Sequence, residues 1–156
     1  MTRIRLFQPQ DAPVLAQLLH DSVHAVGAQD YSHAQLRAWS PRPIDPKSFA
    51  QRVGDGRDVF VALSDEDAAI GFIELEASGH IDCFYCRPDK VGTGVGAALY
   101  QHLEGVAATR QMVRLFVEAS EAAHRFFTAQ GFGTVRRQEF ERNGVRIHNY
   151  VMEKTL

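Results

Sequence analysis

The chain has 156 residues, of which 45% are hydrophobic and 23% charged, and its formal net charge is −2. This size and composition are typical of one globular domain, so we expect a single domain over residues 1–156. The 17 basic and 19 acidic residues are mixed along the chain, which argues against a nucleic-acid partner. The sequence has no membrane-spanning apolar run and no signal-peptide pattern, and its two cysteines are typical of a reducing compartment, so a cytoplasmic location is expected.

The first third of the chain predicts one strand followed by helices. Residues 2–7 alternate between polar and apolar side chains, which predicts a strand. Asp11 is the predicted N-cap of a helix that runs to about Val26, because the apolar residues after it form one helical stripe. Shorter helices are predicted from Ser32 to Trp39 and from Pro46 to Arg52.

The rest of the chain is mainly strands. Period-two patterns predict strands at 58–64, 69–77, 80–87, 112–119, 133–142 and 145–154, and helical patterns lie at 94–109 and 121–130. Ser78-Gly79 is predicted to be a two-residue turn, and Asn143-Gly144 a hairpin turn. With the short helix at 46–52 left out, the order is β-α-α-β-β-β-α-β-α-β-β. This order predicts an α/β (α+β) domain with a mixed sheet and helices on its faces.

Three glycines, Gly92, Gly94 and Gly96, alternate where a strand is expected to end and a helix to begin. A helix N-terminus has unpaired N–H groups and a partial positive charge, and glycines allow an anion to approach them. The segment therefore predicts a phosphate-binding site, with close packing of the helix on a strand as the alternative. A P-loop is excluded because no Gly-Lys-Ser/Thr follows.

A dinucleotide-binding turn is a closer alternative for the same segment. Gly92, Gly94 and Ala97 fit the pattern G-x-G-x-x-A, and Glu118 ends the next strand, where a ribose-binding acid belongs. However, residues 87–90 separate the strand from the glycines, and the remainder of the chain is short and ends in a hairpin. An NAD-linked oxidoreductase is therefore the least favoured of the functions considered.

Two motifs resemble those of the GCN5-related N-acetyltransferase (GNAT) superfamily, and the order of elements agrees over nearly the whole chain. The first motif, Arg/Gln-x-x-Gly-x-Gly/Ala at the start of a helix, corresponds to residues 91–96, with Val91 in place of Arg or Gln. The second motif, Ala-x-x-Phe-Tyr followed by Gly-Phe, corresponds to residues 123–132, with Phe127 in place of a frequently catalytic Tyr. The resemblance implies a mostly antiparallel sheet and an acetyl-CoA-dependent N-acetyltransferase.

The resemblance also implies how acetyl-CoA is held. Its pyrophosphate would meet the N–H groups of residues 91–97, and its pantetheine arm would lie along residues 84–86, at a strand edge that separates from strand 112–119. The N–H group of Phe84 would polarise the thioester carbonyl. The cofactor-binding residues implied in this way are Phe84, Tyr85, Cys86, Val91, Gly92, Thr93, Gly94, Val95, Gly96, Ala97, Ser120, Phe126 and Phe127.

No metal site is predicted. Cys83 and Cys86 fit the pattern C-x-x-C, but residues three apart on a strand point to opposite faces, which argues against a shared metal or a disulfide. His20 and His24 form an i, i+4 helical pair without a third ligand in view, which is more typical of a solvated helix face.

Direct transfer to an amine requires a neutral nucleophile, so a base with a pKa near 7 is expected. His80 is the first candidate: in the family, the position four residues before the carbonyl-binding residue can hold a basic carboxylate, and imidazole titrates near neutrality. Strand alternation predicts that His80, Asp82 and Phe84 share one face. Glu74 and Glu76 are competing candidates, and a two-residue turn would place them on the face opposite His80.

The general acid is less clearly indicated. Tyr150 is one candidate, together with Tyr31, Tyr85 and Ser120. Because the leaving group is a thiolate with a pKa near 8.5, full protonation is not required, and the absence of Tyr at position 127 does not exclude transfer.

The resemblance implies an acceptor pocket between the first helices and the last hairpin. The substrate-binding residues implied are Tyr31, Trp39 and His148, although packing of Tyr31 and Trp39 on the sheet is an equal alternative. The acceptor would be a small-molecule or protein amine, and homodimers are common in the resembled family. Since Val91 and Phe127 depart from the family pattern, a non-catalytic acyl-CoA-binding module is the second functional alternative.

Overall fold

The computed structural model describes residues 2–156. Over these residues the predicted elements are all present, including the short helix left out of the predicted order. The strands are β1 (Arg3–Leu6), β2 (Asp58–Leu63), β3 (Ala69–Leu75), β4 (His80–Cys86), β5 (Arg114–Ala119), β6 (Gly133–Arg142) and β7 (Val145–Thr155). The helices are α1 (Ala12–Gly27), α2 (His33–Trp39), α3 (Pro46–Arg52), α4 (Val95–Thr109) and α5 (Glu121–Ala129). None of the helices in this part of the chain combines the length and apolarity needed to cross a membrane.

The strands form one sheet in the order β1-β2-β3-β4-β5-β7-β6. Every neighbouring pair is antiparallel except β4 and β5, which are parallel. These two strands pair only at His80–Phe116 and Ile81–Val117, so their carboxyl-terminal parts are separated. The predicted mixed, mostly antiparallel sheet is confirmed, and the opening between β4 and β5 lies at its centre.

Each face of the sheet has its own buried core. Helices α4 and α5 cover one face, where Leu99, Leu103 and Phe127 are fully buried. Helices α1, α2 and α3 cover the other face, where Leu15 and Phe49 are fully buried. Because complete burial of one such side chain is worth about 1.5–3 kcal/mol, the two cores fix the helices on either side of the opening.

Polar side chains cap the starts of two helices. Ser32 and Gln35 form a capping box before α2, with hydrogen bonds of 3.1 and 2.9 Å. Ser120 accepts a bond of 3.3 Å from the third helical N–H group of α5. Asp11 precedes α1 as predicted, but its carboxylate binds Arg5 at 2.7 and 2.9 Å instead of the helix N–H groups.

Strand β4 contains a bulge that the sequence pattern did not reveal. The pairing of β3 with β4 shifts by one residue between Ile73 and Leu75, so Glu74 lies opposite both Asp82 and Cys83. Simple alternation therefore fails along β4. A side chain before the bulge and one after it, predicted by alternation to share a face, therefore lie on opposite faces of the sheet.

The turn between β3 and β4 has three residues rather than the predicted two. The N–H of Glu76 donates to the carbonyl of His80 at 2.9 Å, and the N–H of Gly79 donates to the carbonyl of Glu76 at 3.0 Å. Gly79 has a φ of 93°, and a Cβ there would collide with the carbonyl of Arg114. In this register Glu76 contacts His80, so the predicted placement of the two on opposite faces is wrong. Phe84, predicted to share the face of His80, packs on the α4 side instead.

Candidate active site

The loop between β4 and α4 presents a row of free backbone N–H groups. Gly92 and Gly94 have φ values of 79° and 95°, the left-handed region that favours glycine. A Cβ at either position would meet no atom within 4 Å, so glycine is needed for its conformation and not for space. Among residues 2–156, none accepts a hydrogen bond from the N–H groups of Gly92, Gly94, Val95, Gly96 and Ala97. These groups, at the positive end of α4, are available to an anion.

Gly96 has a different purpose, the close packing of α4 on two aromatic rings. A Cβ on Gly96 would lie 3.1 Å from Cζ of Phe84 and 3.5 Å from Cε1 of Phe126. Phe127, predicted to line the thioester end, is instead fully buried, with its ring 4.9 Å from that of Phe132. Neighbouring residues of a helix point about 100° apart, so Phe126 faces the ligand side and Phe127 fills the core.

The row of N–H groups opens into a cavity of about 330 Å³. Four parts of the fold form its walls: the edge of β4 beyond its pairing with β5, the loop and start of α4, the start of α5, and helices α1 and α2. The predicted cofactor-binding residues that line it are Phe84, Tyr85, Cys86, Val91, Gly92, Gly94, Gly96, Ala97, Ser120 and Phe126. Thr93, Val95 and Phe127 belong to the same segments but do not line the cavity, and Val95 is only 4% exposed.

Glu74 is fully buried between two arginines. Its carboxylate accepts hydrogen bonds from Arg52 at 2.6 and 2.8 Å and from Arg57 at 2.8 Å. Both arginines also contact Asp82. A carboxylate oxygen of Glu74, one of Asp82 and the Sγ atom of Cys83 lie within 4.8 Å of one another. The two guanidinium groups already neutralise these carboxylates, so the arrangement favours a structural role for Glu74 over the predicted catalytic one.

His80 lies between two carboxylates. Its Nδ1 is 2.6 Å from Oε2 of Glu76, and its Nε2 is 3.0 Å from Oε1 of Glu118. The hydrogen bond to Glu118, followed by that to Glu76, outweighs burial and raises the pKa of His80 to about 9. Contrary to the prediction, the imidazole therefore does not titrate near neutrality and is protonated at pH 7. Its role as a general base stays a prediction.

We expect His80 to stabilise the fold more at neutral and acid pH than at alkaline pH. Its pKa rises from an ordinary value of 6.5 to about 9 in the folded chain, so its stabilising contribution is complete below about pH 6.5 and is lost as the pH rises through about 9. After allowance for solvent screening, this contribution is roughly 1–2 kcal/mol. Urea unfolding of the wild type and His80→Gln at about pH 6 and about pH 10 measures it. A stability difference that stays constant with pH would contradict the ion pairs.

Glu121, the first residue of α5, forms hydrogen bonds with three residues predicted to bind the amine substrate or to act as the general acid. Its Oε1 accepts hydrogen bonds from Nε2 of His148 at 2.6 Å and from the hydroxyl of Tyr150 at 2.9 Å, and the latter bond raises the pKa of Tyr150. The hydroxyl of Tyr31 donates to the carbonyl of His148 and accepts from the N–H of Glu121, both at 3.1 Å. Tyr31 and Trp39 line the cavity, whereas His148 and Tyr150 do not. Contact of these four residues with a substrate stays a prediction.

A second, more open depression of about 400 Å³ lies over strands β5, β7 and β6. Its lining residues are Glu118, Gln138, Phe140, Glu141, Arg142 and Asn149. The sequence pattern marks Glu118 only as a candidate ribose-binding acid and does not reveal the contacts of Arg52, Arg57 and Glu121. For Glu118 its place at the end of β5 was a usable signal, but for the other three no local pattern exists, because their partners come from distant segments.

Comparison with known proteins places this geometry in a family. The profile of the Acetyltransferase (GNAT) domain matches residues 27–154. The uncharacterized N-acetyltransferase YafP of Escherichia coli is 30% identical over 150 residues, which cover 96% of this chain and 93% of YafP. Both matches include the glycine loop and the strands around the opening between β4 and β5.

Solved structures show the same fold. A GCN5-related N-acetyltransferase from Rhodopseudomonas palustris is 34% identical, with a TM-score of 0.91 over 100% of this chain and 96% of its own. A phosphinothricin acetyltransferase from Sinorhizobium meliloti, solved in complex with AcCoA, has a TM-score of 0.78 at 19% identity, over 99% of this chain and 88% of its own. The chain therefore belongs to the GNAT acetyltransferase family, as its glycine motif predicted, and is an acetyl-CoA-dependent acyltransferase.

Proposed function

We propose that this enzyme transfers the acetyl group of acetyl-CoA directly to a primary amine. The observation that carries the proposal is the row of free N–H groups between Gly92 and Ala97, which opens into a cavity along the unpaired edge of β4. A diphosphate fits such a row because the N–H groups and the helix dipole both favour negative charge. Lys90 lines the same cavity and supplies a positive charge where Val91 replaces the Arg or Gln usual in the family.

The unpaired edge of β4 suits the pantetheine arm. Beyond Ile81, β4 has no pairing with β5, so the backbone groups of residues 84–86 on that side are available to the amides of a ligand. In the proposed complex the N–H of Phe84 donates to the thioester carbonyl oxygen and makes the carbonyl carbon more electrophilic. Acetyl-CoA supplies the activated acetyl group, and the protein holds it in place and polarises it.

The predicted catalytic residues have unequal support. Glu74 has the least support, because it is fully buried and bound by two arginines. The hydroxyl of Tyr150 donates a hydrogen bond to Glu121. His80 and Glu76 lie at the point where β4 and β5 begin to separate. Because the imidazole is already protonated at pH 7, we assign uptake of the acceptor's proton to the carboxylate of Glu76. Phe127 has no hydroxyl that could protonate the leaving group. The CoA sulfur can nevertheless leave as a thiolate, since its pKa is near 8.5.

The proposal predicts selective binding of acetyl-CoA and release of CoA thiol in the presence of an amine. At 100 times its dissociation constant, acetyl-CoA should stabilise the protein by about 2.7 kcal/mol in a thermal-shift experiment, whereas NAD should not. Thiol release is then measured against a panel of primary amines. Binding of acetyl-CoA without thiol release for any amine would favour the non-catalytic module, and stabilisation by NAD alone would contradict both alternatives.

A further inference from the structure

Ser22 places a hydroxyl group in the wall of the cavity assigned to acetyl-CoA, the donor cavity. It lies in the second half of α1, is only 6% exposed, and lines this cavity together with the glycine loop and residues 84–86. We propose that the Ser22 hydroxyl donates a hydrogen bond to an amide carbonyl of the pantetheine arm. The inference rests on the proposed function, because it takes acetyl-CoA as the ligand of this cavity.

The hydroxyl of Ser22 lacks the partner that a helix usually supplies. A hydroxyl inside a helix can donate to the carbonyl four residues earlier, as Thr109 does to Gly105 at 3.0 Å and Thr128 to His124 at 2.7 Å. Among residues 2–156, Ser22 has neither this bond nor any other side-chain hydrogen bond. Its hydroxyl is therefore buried against the cavity without a protein partner.

Ser22 differs in this respect from the other buried polar side chains. Four further polar residues between 2 and 156 are less than 9% exposed, and each is paired within the protein: Asp11 with Arg5, Ser40 with His20, Glu74 with Arg52 and Arg57, and Asn149 with Gln138. A buried polar group without a partner costs free energy and requires an explanation. A ligand that enters the cavity provides one.

Helix α1 meets this ligand mainly through its side chains, because the backbone N–H and C=O groups inside a helix bond to one another. The residues of α1 that line the donor cavity form one stripe, since positions three and four apart share a helix face. They are Ser22, Val23, Val26 and Gly27. Only Ser22 has a polar side-chain atom, so this wall is apolar except for one hydroxyl.

The pantetheine arm has the chemistry that such a wall suits. It alternates methylene and methyl-bearing carbons with two amide groups, and a trans amide directs its C=O and N–H to opposite sides. An amide whose N–H bonds to the free edge of residues 84–86 therefore turns its carbonyl away from that edge. The Ser22 hydroxyl can donate to this carbonyl, while Val23 and Val26 contact the apolar carbons.

This arrangement predicts that the Ser22 hydroxyl favours binding at the expense of the ligand-free fold. Alanine has the higher helix propensity and leaves no hydroxyl unpaired, so Ser22→Ala should raise the urea midpoint of the ligand-free protein. A group whose partner arrives only with the ligand is expected to behave in this way. Urea unfolding without ligand measures the change.

Isothermal titration with two ligands tests the contact itself. Ser22→Ala should weaken acetyl-CoA binding by about 3- to 10-fold, the loss expected for one hydrogen bond. Adenosine 3′,5′-bisphosphate, which resembles the nucleotide part of CoA but lacks the arm, should bind the variant and the wild type equally well. Ser22→Cys, which keeps the size of the side chain and a weaker donor, should have an intermediate affinity for acetyl-CoA.

Ser40→Ala is the matched control. Ser40 is 4% exposed and its hydroxyl lies 2.7 Å from Nδ1 of His20, but it does not line the donor cavity. Its replacement should lower the urea midpoint and leave the affinity for acetyl-CoA unchanged. The two serines should thus show opposite effects, Ser22 on binding and Ser40 on stability.

Unchanged acetyl-CoA affinity in Ser22→Ala, or an equal loss for both ligands, would overturn the contact with the arm. A higher KM for the amine at unchanged acetyl-CoA affinity would overturn it as well, because the hydroxyl would then face the acceptor. Failure of the wild type to bind acetyl-CoA would instead overturn the proposed function. Binding by the wild type without thiol release would leave the contact intact and contradict only the transfer.

Discussion

Glu74→Gln is expected to lower the free energy of unfolding by about 3–5 kcal/mol, because it leaves two arginine charges without their buried partner. Glu74 is 0% exposed, and its carboxylate binds Arg52 and Arg57, the latter with only 7% of its side chain exposed. The substituted amide can accept a hydrogen bond but cannot neutralise either guanidinium group. Urea unfolding at pH 7 measures the change.

A matched control separates this effect from the loss of any surface ion pair. Glu153→Gln removes the pair with Arg114, whose two side chains are 44% and 47% exposed, and should change the stability by about 1 kcal/mol or less. A loss below about 1 kcal/mol for Glu74→Gln as well would show that solvent already screens the buried network. Retention of acetyl-CoA binding in the folded variant is expected, since Glu74 does not line the donor cavity.

Replacing Gly92 and Gly94 together by Ala should weaken acetyl-CoA binding by about 100-fold. Both residues have positive φ, a conformation that costs a residue with a Cβ roughly 1–2 kcal/mol, so the loop is expected to rearrange and its N–H groups to lose their common direction. Loss of two charge-assisted hydrogen bonds to phosphate corresponds to about 3 kcal/mol or more. Isothermal titration with acetyl-CoA measures the change.

Gly105 provides the control for this experiment. It lies within α4, and a Cβ there would meet no atom within 4 Å. Gly105→Ala should leave acetyl-CoA affinity unchanged and stabilise the helix by about 0.5–1 kcal/mol. Unchanged affinity in the double variant at positions 92 and 94 would show that the loop N–H groups do not hold the diphosphate.

Much of the fold is determined by local patterns. Alternation predicted the strands, the spacing of apolar residues predicted the helices, and the alternating glycines marked the loop that leads into α4. These predictions succeeded because each depends on a few neighbouring residues whose backbone preferences are intrinsic. The departures at Val91 and Phe127 were visible in the same way.

The candidate catalytic groups were harder to predict, because a single extra residue in a strand reverses the face on which every later side chain of that strand lies. The bulge opposite Glu74 and the three-residue turn before His80 together brought Glu76 into contact with His80. No pattern within β3 or β4 distinguishes this register from the simple one. The difference lies in pairing between strands and in the collision that only glycine avoids at position 79.

By itself, the sequence determined the order of elements, the helix starts and a loop whose glycines leave backbone N–H groups open to an anion. Only the tertiary structure decided which charges meet. It placed Glu74 between Arg52 and Arg57, and His80 between Glu76 and Glu118, because segments far apart in the chain converge where β4 and β5 separate. Local backbone preference acts over a few residues, whereas the pKa and the reactivity of a side chain depend on partners that only the completed sheet brings together.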